Sequence, residues 1–280
     1  MIVLEKIDMK KAFLLLSFLL LTSCGGKSNF VLGLGGENVP VGQYASKILQ
    51  YYEISEESLK AKGVISYGKD VKEVTTQVKE ASVSAGIIYK TDAFSADLKV
   101  VAAATKEMCG QVLYPAALIS NSKSDNQKAT AKYFLDYLTT SAAMSFFEGV
   151  GFTRVAEERI PATTISDNVE INVYAAASLT ESLTSIKNSF AALNPNVTVN
   201  INFGSSGTLQ TQIEEGRDKC DLFISAGAKQ MNAFEEISFL VEGSRFNILE
   251  NQVVLSVPAN NPANLNSFDD LANKLKEILK

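Results

Sequence analysis

Apolar residues along this chain alternate between strand-like runs and helical spacing, and the second half shows both patterns most clearly. The run Ile171–Ala176 predicts a buried strand, while Val197, Val199 and Ile201 alternate with polar residues as in a half-buried strand. Between these two strands, apolar residues recur at helical spacing over residues 179–190. Strands that alternate with helices in this way predict an α/β fold.

The first half of the chain continues the same pattern. It predicts strands and helices in alternation, with strands at 31–34, 86–89 and 98–102, helices at 126–138 and 142–147, and a last helix at 268–279. The run Gln111–Ser120 predicts a longer strand. Because this run contains Pro115, which cannot donate to a sheet ladder, we expect the strand to be bent or to lie at a sheet edge.

The N-terminus has the features of an export signal. Lys10 and Lys11 precede an apolar run at 12–21 that is short for a membrane span, and this run ends in Leu-Thr-Ser-Cys at Cys24. The pattern resembles a bacterial lipoprotein signal with Met9 as the initiator, which implies that Cys24 carries a lipid. A plain secretory signal is the alternative. We expect residues 1–28 to be signal and tether, and the mature protein to be anchored outside the cytoplasmic membrane.

The composition narrows the class of function. The chain has 280 residues, which suggests about two domains, and a formal net charge of −5 without a strongly basic segment, which argues against nucleic acid. With no histidine and only three cysteines, catalysis by Ser-His-Asp or Cys-His and zinc bound by His or Cys alone are excluded. We therefore expect a binding protein without a cofactor, not an enzyme.

Two serine turns, Ala177–Thr180 and Gly204–Thr208, follow predicted strands and open predicted helices. Neither turn contains a charged residue. A helix N-terminus carries partial positive charge and N–H groups without acceptors, so these turns are suited to an anion. Ordinary serine N-caps are the alternative for either turn alone. The two together, followed by a similar turn at Ala226, favour an anion site.

Five segments of the chain resemble the periplasmic molybdate-binding proteins of ABC importers. They are Val39–Tyr44, Gly86–Ala93, Val173–Thr180, Phe203–Leu209 and Asp221–Ala226. The resemblance implies a type II periplasmic-binding-protein fold, in which two α/β lobes are joined by a hinge and enclose a cleft. It also implies a monomer that captures molybdate or tungstate for the membrane subunits of an ABC permease.

The order of these segments differs from the family's order, in which the serine turns come first. We therefore expect a circular permutant, with lobe II formed by 29–109 plus 259–280 and lobe I by 110–258. The former termini would be joined through an exposed linker at 154–168, and Lys280 would lie near Asn29. Such breaks are tolerated when they fall between elements. A rearranged gene without function is the alternative.

The resemblance also implies the binding residues. The hydroxyl donors would be Ser178, Ser206 and Tyr89, with Ser205 able to exchange places with Ser206 in the alignment. Backbone N–H donors would come from Ser178, Ser206, Ala226 and Val71. A site made only of donors suits a fully deprotonated tetrahedral dianion, and it avoids the cost of burying an unpaired Lys or Arg.

Other ligands and activities stay open at this stage. Sulfate or another tetrahedral oxyanion could occupy the same site. An enzyme that acts on a phosphorylated substrate at Gly33–Gly36 is the alternative from another class, although this stretch lacks the Gly-Lys-Ser/Thr of a P-loop. For an individual residue such as Tyr89, an ordinary core tyrosine bonded to a backbone carbonyl is the alternative.

Cys109 and Cys220 would be left after lipidation of Cys24. They could form a disulfide in an exported protein, or they could be two buried thiols.

Overall fold

The structure is a computed structural model, and it describes residues 30–161 and 167–280. The predicted signal, the lipidation site Cys24 and Asn29 lie outside these residues, as do residues 162–166 of the predicted linker. In the described part, the chain forms two β-sheets covered by helices. This architecture confirms the predicted two-lobe α/β fold.

Lobe II is built on a five-stranded sheet with the order β2-β1-β3-β11-β4. Its strands are β1 (Leu32–Gly35), β2 (Ile65–Gly68), β3 (Ala85–Tyr89), β4 (Lys99–Ala103) and β11 (Val253–Val257). The strands β1, β2 and β3 are parallel, whereas β11 is antiparallel to both β3 and β4. Its helices are α1 (Pro40–Tyr51), α2 (Glu56–Ala61), α3 (Val71–Lys79), α4 (Lys90–Ser95) and α11 (Phe268–Leu279).

Lobe I is built on a six-stranded sheet with the order β6-β10-β5-β9-β7-β8. Its strands are β5 (Val112–Leu118), β6 (Thr153–Arg154), β7 (Val169–Ala176), β8 (Val197–Gly204), β9 (Leu222–Ile224) and β10 (Phe246–Asn251). Its helices are α6 (Asp125–Tyr137), α7 (Ser141–Gly149), α8 (Thr180–Leu193), α9 (Ser206–Glu215) and α10 (Ala228–Glu236). Short 3-10 helices occupy 177–179 and 217–219.

Within the residues that the structure describes, the chain crosses between the lobes twice. The first crossing runs from β4 through α5 (Lys106–Cys109) to β5, and the second runs directly from β10 to β11 at Gln252. The second crossing corrects the expected lobe boundary, because 253–257 was assigned to lobe I and instead pairs with β3 and β4 of lobe II. All five residues of β11 are buried. An apolar run of this kind predicts a strand and does not indicate which sheet it joins.

The position of Pro115 is a second correction. The strand that contains it, β5, lies between β10 and β9 and is not at an edge. The partner strand β10 changes register between Asn247 and Leu249, opposite Pro115, and this irregularity accommodates the missing N–H donor. The carbonyl of Pro115 still accepts a hydrogen bond from the N–H of Ser225.

The described part of the linker packs more closely than we expected. Arg154 pairs in β6 and donates to the carbonyl of Thr139, and Glu158 accepts from both the N–H and the hydroxyl of Ser141. The guanidinium of Arg159 lies 3.6 Å from the ring centre of Phe246. The charged residues that suggested an exposed tether therefore attach this segment to lobe I.

No helix within the described residues has the length and apolar character that are needed to cross a bilayer.

Candidate functional site

A small cavity lies where strand ends and helix N-termini of the two lobes meet. Its volume is about 10 Å³, and its lining includes every residue that the sequence predicted for the anion site. These residues are Ser178, Ser205, Ser206, Ala226, Val71 and Tyr89. Residues that lie more than 150 positions apart in the chain are thus brought together, and no Lys, Arg, Asp or Glu of the described part of the chain lines the cavity.

Larger cavities elsewhere have different surroundings. One of about 280 Å³ lies beside the crossings and includes Lys106 and Glu250, one of about 700 Å³ includes Glu37 and Lys229, and one of about 270 Å³ includes Lys132 and Asp221. Their charged side chains are of both signs. We place the candidate site at the smaller cavity because its uncharged lining combines hydroxyl groups with helix N-termini.

Ser178 follows β7 and lies in the short 3-10 helix that precedes α8. Its side chain is buried, and its Oγ lies 2.8 Å from the hydroxyl oxygen of Tyr114 on β5. Asn251, the last residue of β10, donates in turn to the Tyr114 hydroxyl at 3.2 Å. Sequence reasoning missed Tyr114 and Asn251, since an isolated Tyr in an apolar strand and an Asn at a strand end carry no signal of their own.

Ser205 and Ser206 have different roles. Ser205 is the N-cap of α9, and its hydroxyl accepts from the N–H of Thr208 at 3.2 Å. Ser206 is the first residue of the helix and is completely buried, and its Oγ accepts from the N–H of Ala226 at 3.0 Å. Because that acceptor site is used, the hydroxyl proton of Ser206 stays available for another acceptor. Ser206 is therefore the better candidate for the ligand.

The resemblance implied that the N–H of Ala226 is free to donate to the ligand, but in this structure it is not free. Its N–H donates to Ser206, and its carbonyl accepts from the hydroxyl of Tyr89 at 3.3 Å. Tyr89 ends β3 of lobe II, so the second bond joins the two lobes. Burial raises the pKa of Tyr89 well above its ordinary value, and the phenol is neutral. The contact with a carbonyl is the alternative that the sequence left open for this tyrosine.

Val71 contributes from lobe II as the first residue of α3. The first N–H groups of a helix have no acceptor within the helix. The N-cap Asp70 satisfies a later one, that of Glu73, at 2.9 Å. Val71 lines the cavity, and donation by its N–H to a ligand stays a prediction.

A charged cluster borders this site. Lys72 bonds both carboxylate oxygens of Glu181 across the lobes at 2.7 Å and lies 3.0 Å from the carboxylate of Asp92. Burial raises the pKa of Asp92 to about 6, although Lys72 opposes that shift. Burial alone would lower the pKa of Lys72, but its two carboxylate partners raise it above the ordinary value. The ammonium thus remains charged beside the cavity.

The lobes also touch through their backbones. The N–H of Gly207 on α9 donates to the carbonyl of Asn38 in lobe II at 3.1 Å. A Cβ at position 207 would collide with that carbonyl oxygen and would lie 2.8 Å from the Asn38 Cβ. Glycine at 207 is therefore required for this close approach.

Cys109 and Cys220 are both buried and not bonded to each other, so the structure has the two buried thiols that the sequence left open as an alternative to a disulfide. Cys109 belongs to the large apolar cluster, whereas Cys220 packs in a separate smaller one with Phe223 and Phe234. In the described residues, no group of three or more Cys, Asp or Glu side chains is placed to hold a metal ion.

The alternative phosphate site at Gly33–Gly36 is not supported by its conformation. Residues 33–35 lie in β1 and pair with β2, and both Gly33 and Gly35 are buried. They do not form a loop that could surround a phosphate. A Cβ at Gly35 would lie 2.9 Å from the backbone nitrogen of Gly42, so close packing of α1 explains this glycine.

Comparison with known proteins supports the architecture. The family model described as bacterial extracellular solute-binding protein matches residues 26–153 and 171–279. Among solved structures, a phosphate-binding protein of a phosphate ABC transporter from Streptococcus pneumoniae superposes with a TM-score of 0.55. This match covers 89% of this chain and 96% of that chain at 13% identity, so it shows the shared fold.

Curated relatives match over shorter segments. YvgL of Bacillus subtilis, whose name describes a substrate-binding lipoprotein of an ABC transporter, is 36% identical over 118 residues, or 42% of this chain and 43% of YvgL. The molybdate-binding protein ModA of Mycobacterium tuberculosis is 40% identical over 101 residues, or 36% of this chain and 38% of ModA. The matched segments span less than half the length of these relatives.

Proposed function

Since this chain belongs to the bacterial extracellular solute-binding proteins, we propose that it captures molybdate or tungstate outside the cytoplasmic membrane and delivers it to an ABC permease. Membership of the family confirms that the chain is a solute-binding protein and not an enzyme. The identity of the solute is the proposal, and the cavity between the lobes carries it.

The observation that carries the proposal is the direction of the hydrogen bonds at the cavity. Ser206 accepts from the N–H of Ala226, which leaves its own proton to donate. The carbonyl of Ala226 is already used by Tyr89. Tyr89 gives its proton to that carbonyl, so the donors left for a ligand are the Ser206 hydroxyl and the helix N-termini, and part of the acceptor capacity is used within the protein. Molybdate and tungstate carry no proton at neutral pH, whereas monohydrogen phosphate needs an acceptor for its proton.

The uncharged lining also fits this ligand. Helix N-termini at Ser206 and Val71 supply partial positive charge from both sides of the cavity. Such dipoles can hold a dianion without a buried Lys or Arg in contact with it. The molybdate-binding names of the relatives support the same solute. Sulfate, which is smaller, is the second candidate because it is also unprotonated.

Isothermal titration of the purified protein with molybdate, tungstate, sulfate and phosphate tests the proposal. We expect tight binding of molybdate and tungstate, weaker binding of sulfate, and no binding of phosphate. Phosphate bound as tightly as molybdate would contradict the donor-only site. Failure of all four to bind, or to raise the melting temperature, would favour a rearranged protein without this function.

The lipid anchor at Cys24 is part of the same proposal, and the lipoprotein name of YvgL supports it. In cells, Cys24→Ala should move the protein from the membrane fraction to the soluble fraction. Mature Cys24→Ala protein that still sediments with membranes would argue against the anchor.

A further inference from the structure

Asn251 is held in a single orientation at the end of β10, one residue before the chain crosses to lobe II. Its side-chain oxygen accepts from the N–H of Gln252 at 2.8 Å. Because only the amide oxygen can accept this bond, the positions of the amide oxygen and nitrogen are determined. Its nitrogen then donates to the hydroxyl of Thr91 at 2.9 Å and to that of Tyr114 at 3.2 Å. Both amide hydrogens and the oxygen therefore have partners.

The orientation of Asn251 determines the direction of the next hydrogen bond. Tyr114 is completely buried, and its hydroxyl oxygen accepts from Asn251. Its proton can be donated to the Oγ of Ser178 at 2.8 Å, whereas the neighbouring phenol of Tyr89 donates its own proton to the carbonyl of Ala226. Burial raises the pKa of Tyr114 well above its ordinary value, so the phenol keeps this proton. Ser178 consequently accepts from Tyr114.

We propose that Asn251 and Tyr114 are positioning residues that orient the Ser178 hydroxyl, so that its proton is donated to the bound oxyanion. The inference rests on the proposed function and extends it to residues that do not line the cavity. The Ser206 hydroxyl is oriented in a different way, because it accepts from the backbone N–H of Ala226. Both serines are thus donors to the ligand: a backbone N–H orients Ser206, and the side chains of Tyr114 and Asn251 orient Ser178.

An isosteric change at Asn251 should reverse the direction of the hydrogen bonds between residue 251 and Tyr114 and between Tyr114 and Ser178. In Asn251→Asp the ionised side chain accepts only, so Tyr114 donates its proton to residue 251. The Tyr114 oxygen then accepts from Ser178, whose proton turns away from the cavity. The expected loss of molybdate affinity is about 10- to 100-fold, the range for one charge-assisted hydrogen bond.

Asn247→Asp is the matched control for the added negative charge. Asn247 lies on the same strand, four residues away, and is exposed. Because an exposed charge at that distance is screened by salt, the control should change the affinity by less than about twofold. Melting temperatures of all variants establish that each one is folded.

A double-mutant cycle separates an effect through Ser178 from a general one. In the Ser178→Ala background, Asn251→Asp should cost less than about threefold in affinity, because the hydroxyl that it reorients is absent. Tyr114→Phe provides a second route if Asn251→Asp does not fold. It should weaken binding in the otherwise unchanged protein and have little further effect in Ser178→Ala.

The outcomes separate this inference from the proposed function. Wild-type affinity in both Asn251→Asp and Tyr114→Phe, or equal losses with and without Ser178, would overturn the inference while the unchanged protein still binds molybdate. If the unchanged protein binds none of molybdate, tungstate, sulfate and phosphate, the proposed function and this inference fail together.

Discussion

In lobe II, the first strand β1 lies between β2 and β3, and the crossover strand β11 separates β3 from β4. Lobe I repeats this arrangement, with β7 between β8 and β9 and the crossover strand β5 between β9 and β10. The strand directions correspond as well, since each crossover strand is antiparallel to both of its neighbours. The two lobes therefore present equivalent strand ends and helix N-termini to the cleft.

The chemistry at these equivalent places differs. After the second strand of each lobe, a helix begins at Val71 in lobe II and at Ser206 in lobe I, each directly after a polar N-cap. After the first strand, lobe I has Ser178, whereas α1 of lobe II begins with Pro40, which has no N–H. Topology thus supplies backbone donors in both lobes, and the serine hydroxyls occur in lobe I. We expect lobe I to hold the ion and lobe II to cover it.

Both lobes bury carboxylates, and Asp221 of lobe I and Asp92 of lobe II are satisfied to different degrees. Asp221 in lobe I accepts from the N–H of Asn172 and the amide of Asn121, and it pairs with Lys123 at 3.3 Å. Asp92 in lobe II has the contact with Lys72 at 3.0 Å, but among the described residues no backbone or amide N–H donates to its oxygens. A buried carboxylate without hydrogen bonds is a cost to stability.

The largest expected effect comes from Asp92. Its pKa is raised from 3.8 to about 6 in the folded protein, so its contribution to stability is full below pH 4 and is lost as the pH rises through 6. This loss amounts to about 3 kcal/mol at 1.36 kcal/mol per pH unit. Urea denaturation at pH 4.5 and pH 7 should show that Asp92→Asn removes this decline. Asp221→Asn should instead destabilise the protein at pH 7, and a stabilising effect there would contradict the comparison.

The next largest effect separates the two neighbouring serines of lobe I. Ser206→Ala should weaken molybdate binding by about 1.5–3 kcal/mol, because a hydroxyl donor to a charged ligand is lost in a buried site. Ser205→Ala removes an N-cap, so it should lower the free energy of unfolding by about 1 kcal/mol and leave affinity nearly unchanged. Titration and denaturation of both variants test this assignment, and the reverse result would exchange the two roles.

A smaller effect is expected for the ion pair that joins the lobes. Lys72 and Glu181 are partly exposed, so Glu181→Gln should weaken molybdate binding by about 0.2–1 kcal/mol. The difference should shrink as salt is raised from low ionic strength, because exposed charges are screened. The control is Glu242→Gln at an exposed position of the same lobe. A loss of affinity that salt does not reduce would mean that Glu181 acts in another way.

The smallest effect is expected from a change of chain order. Because the lobes repeat one strand order, we expect the chain to tolerate a break between residues 161 and 167, after β6. A chain rearranged to run from 167 to 280 and then, through a short Gly/Ser linker, from 30 to 161 should fold and bind with unchanged affinity. Circular dichroism and titration check this, and an unfolded product would argue against the circular permutation.

The sequence predicted most elements because their periodicities are regular. The helix expected at 268–279 coincides with α11, and the strand expected at 171–176 lies within β7. The strand β10 was missed, since the register shift between Asn247 and Leu249 interrupts its alternation of apolar and polar residues. Sheet membership of 253–257 depends on partners distant in the chain, which a local pattern does not contain.

For the site, the resemblance supplied residues that the structure then placed around one cavity. Their roles in binding remain predictions. What the sequence could not supply was the direction of each hydrogen bond. The separate roles of Ser205 and Ser206 depend on which hydroxyl meets Ala226, and the role of Asn251 depends on its contact with Tyr114, 137 positions away.

The contact between Gly207 and Asn38 has a consequence for the lifetime of a complex. We expect an ion bound between the lobes to leave only after this backbone bond and the Tyr89–Ala226 bond break. The dissociation rate constant would then be limited by lobe opening, as in other proteins whose parts close over a ligand. A side chain at position 207 would keep the two lobes from closing fully, because it would collide with Asn38. It would then shorten the residence time of the ion without removing any group that contacts the ion.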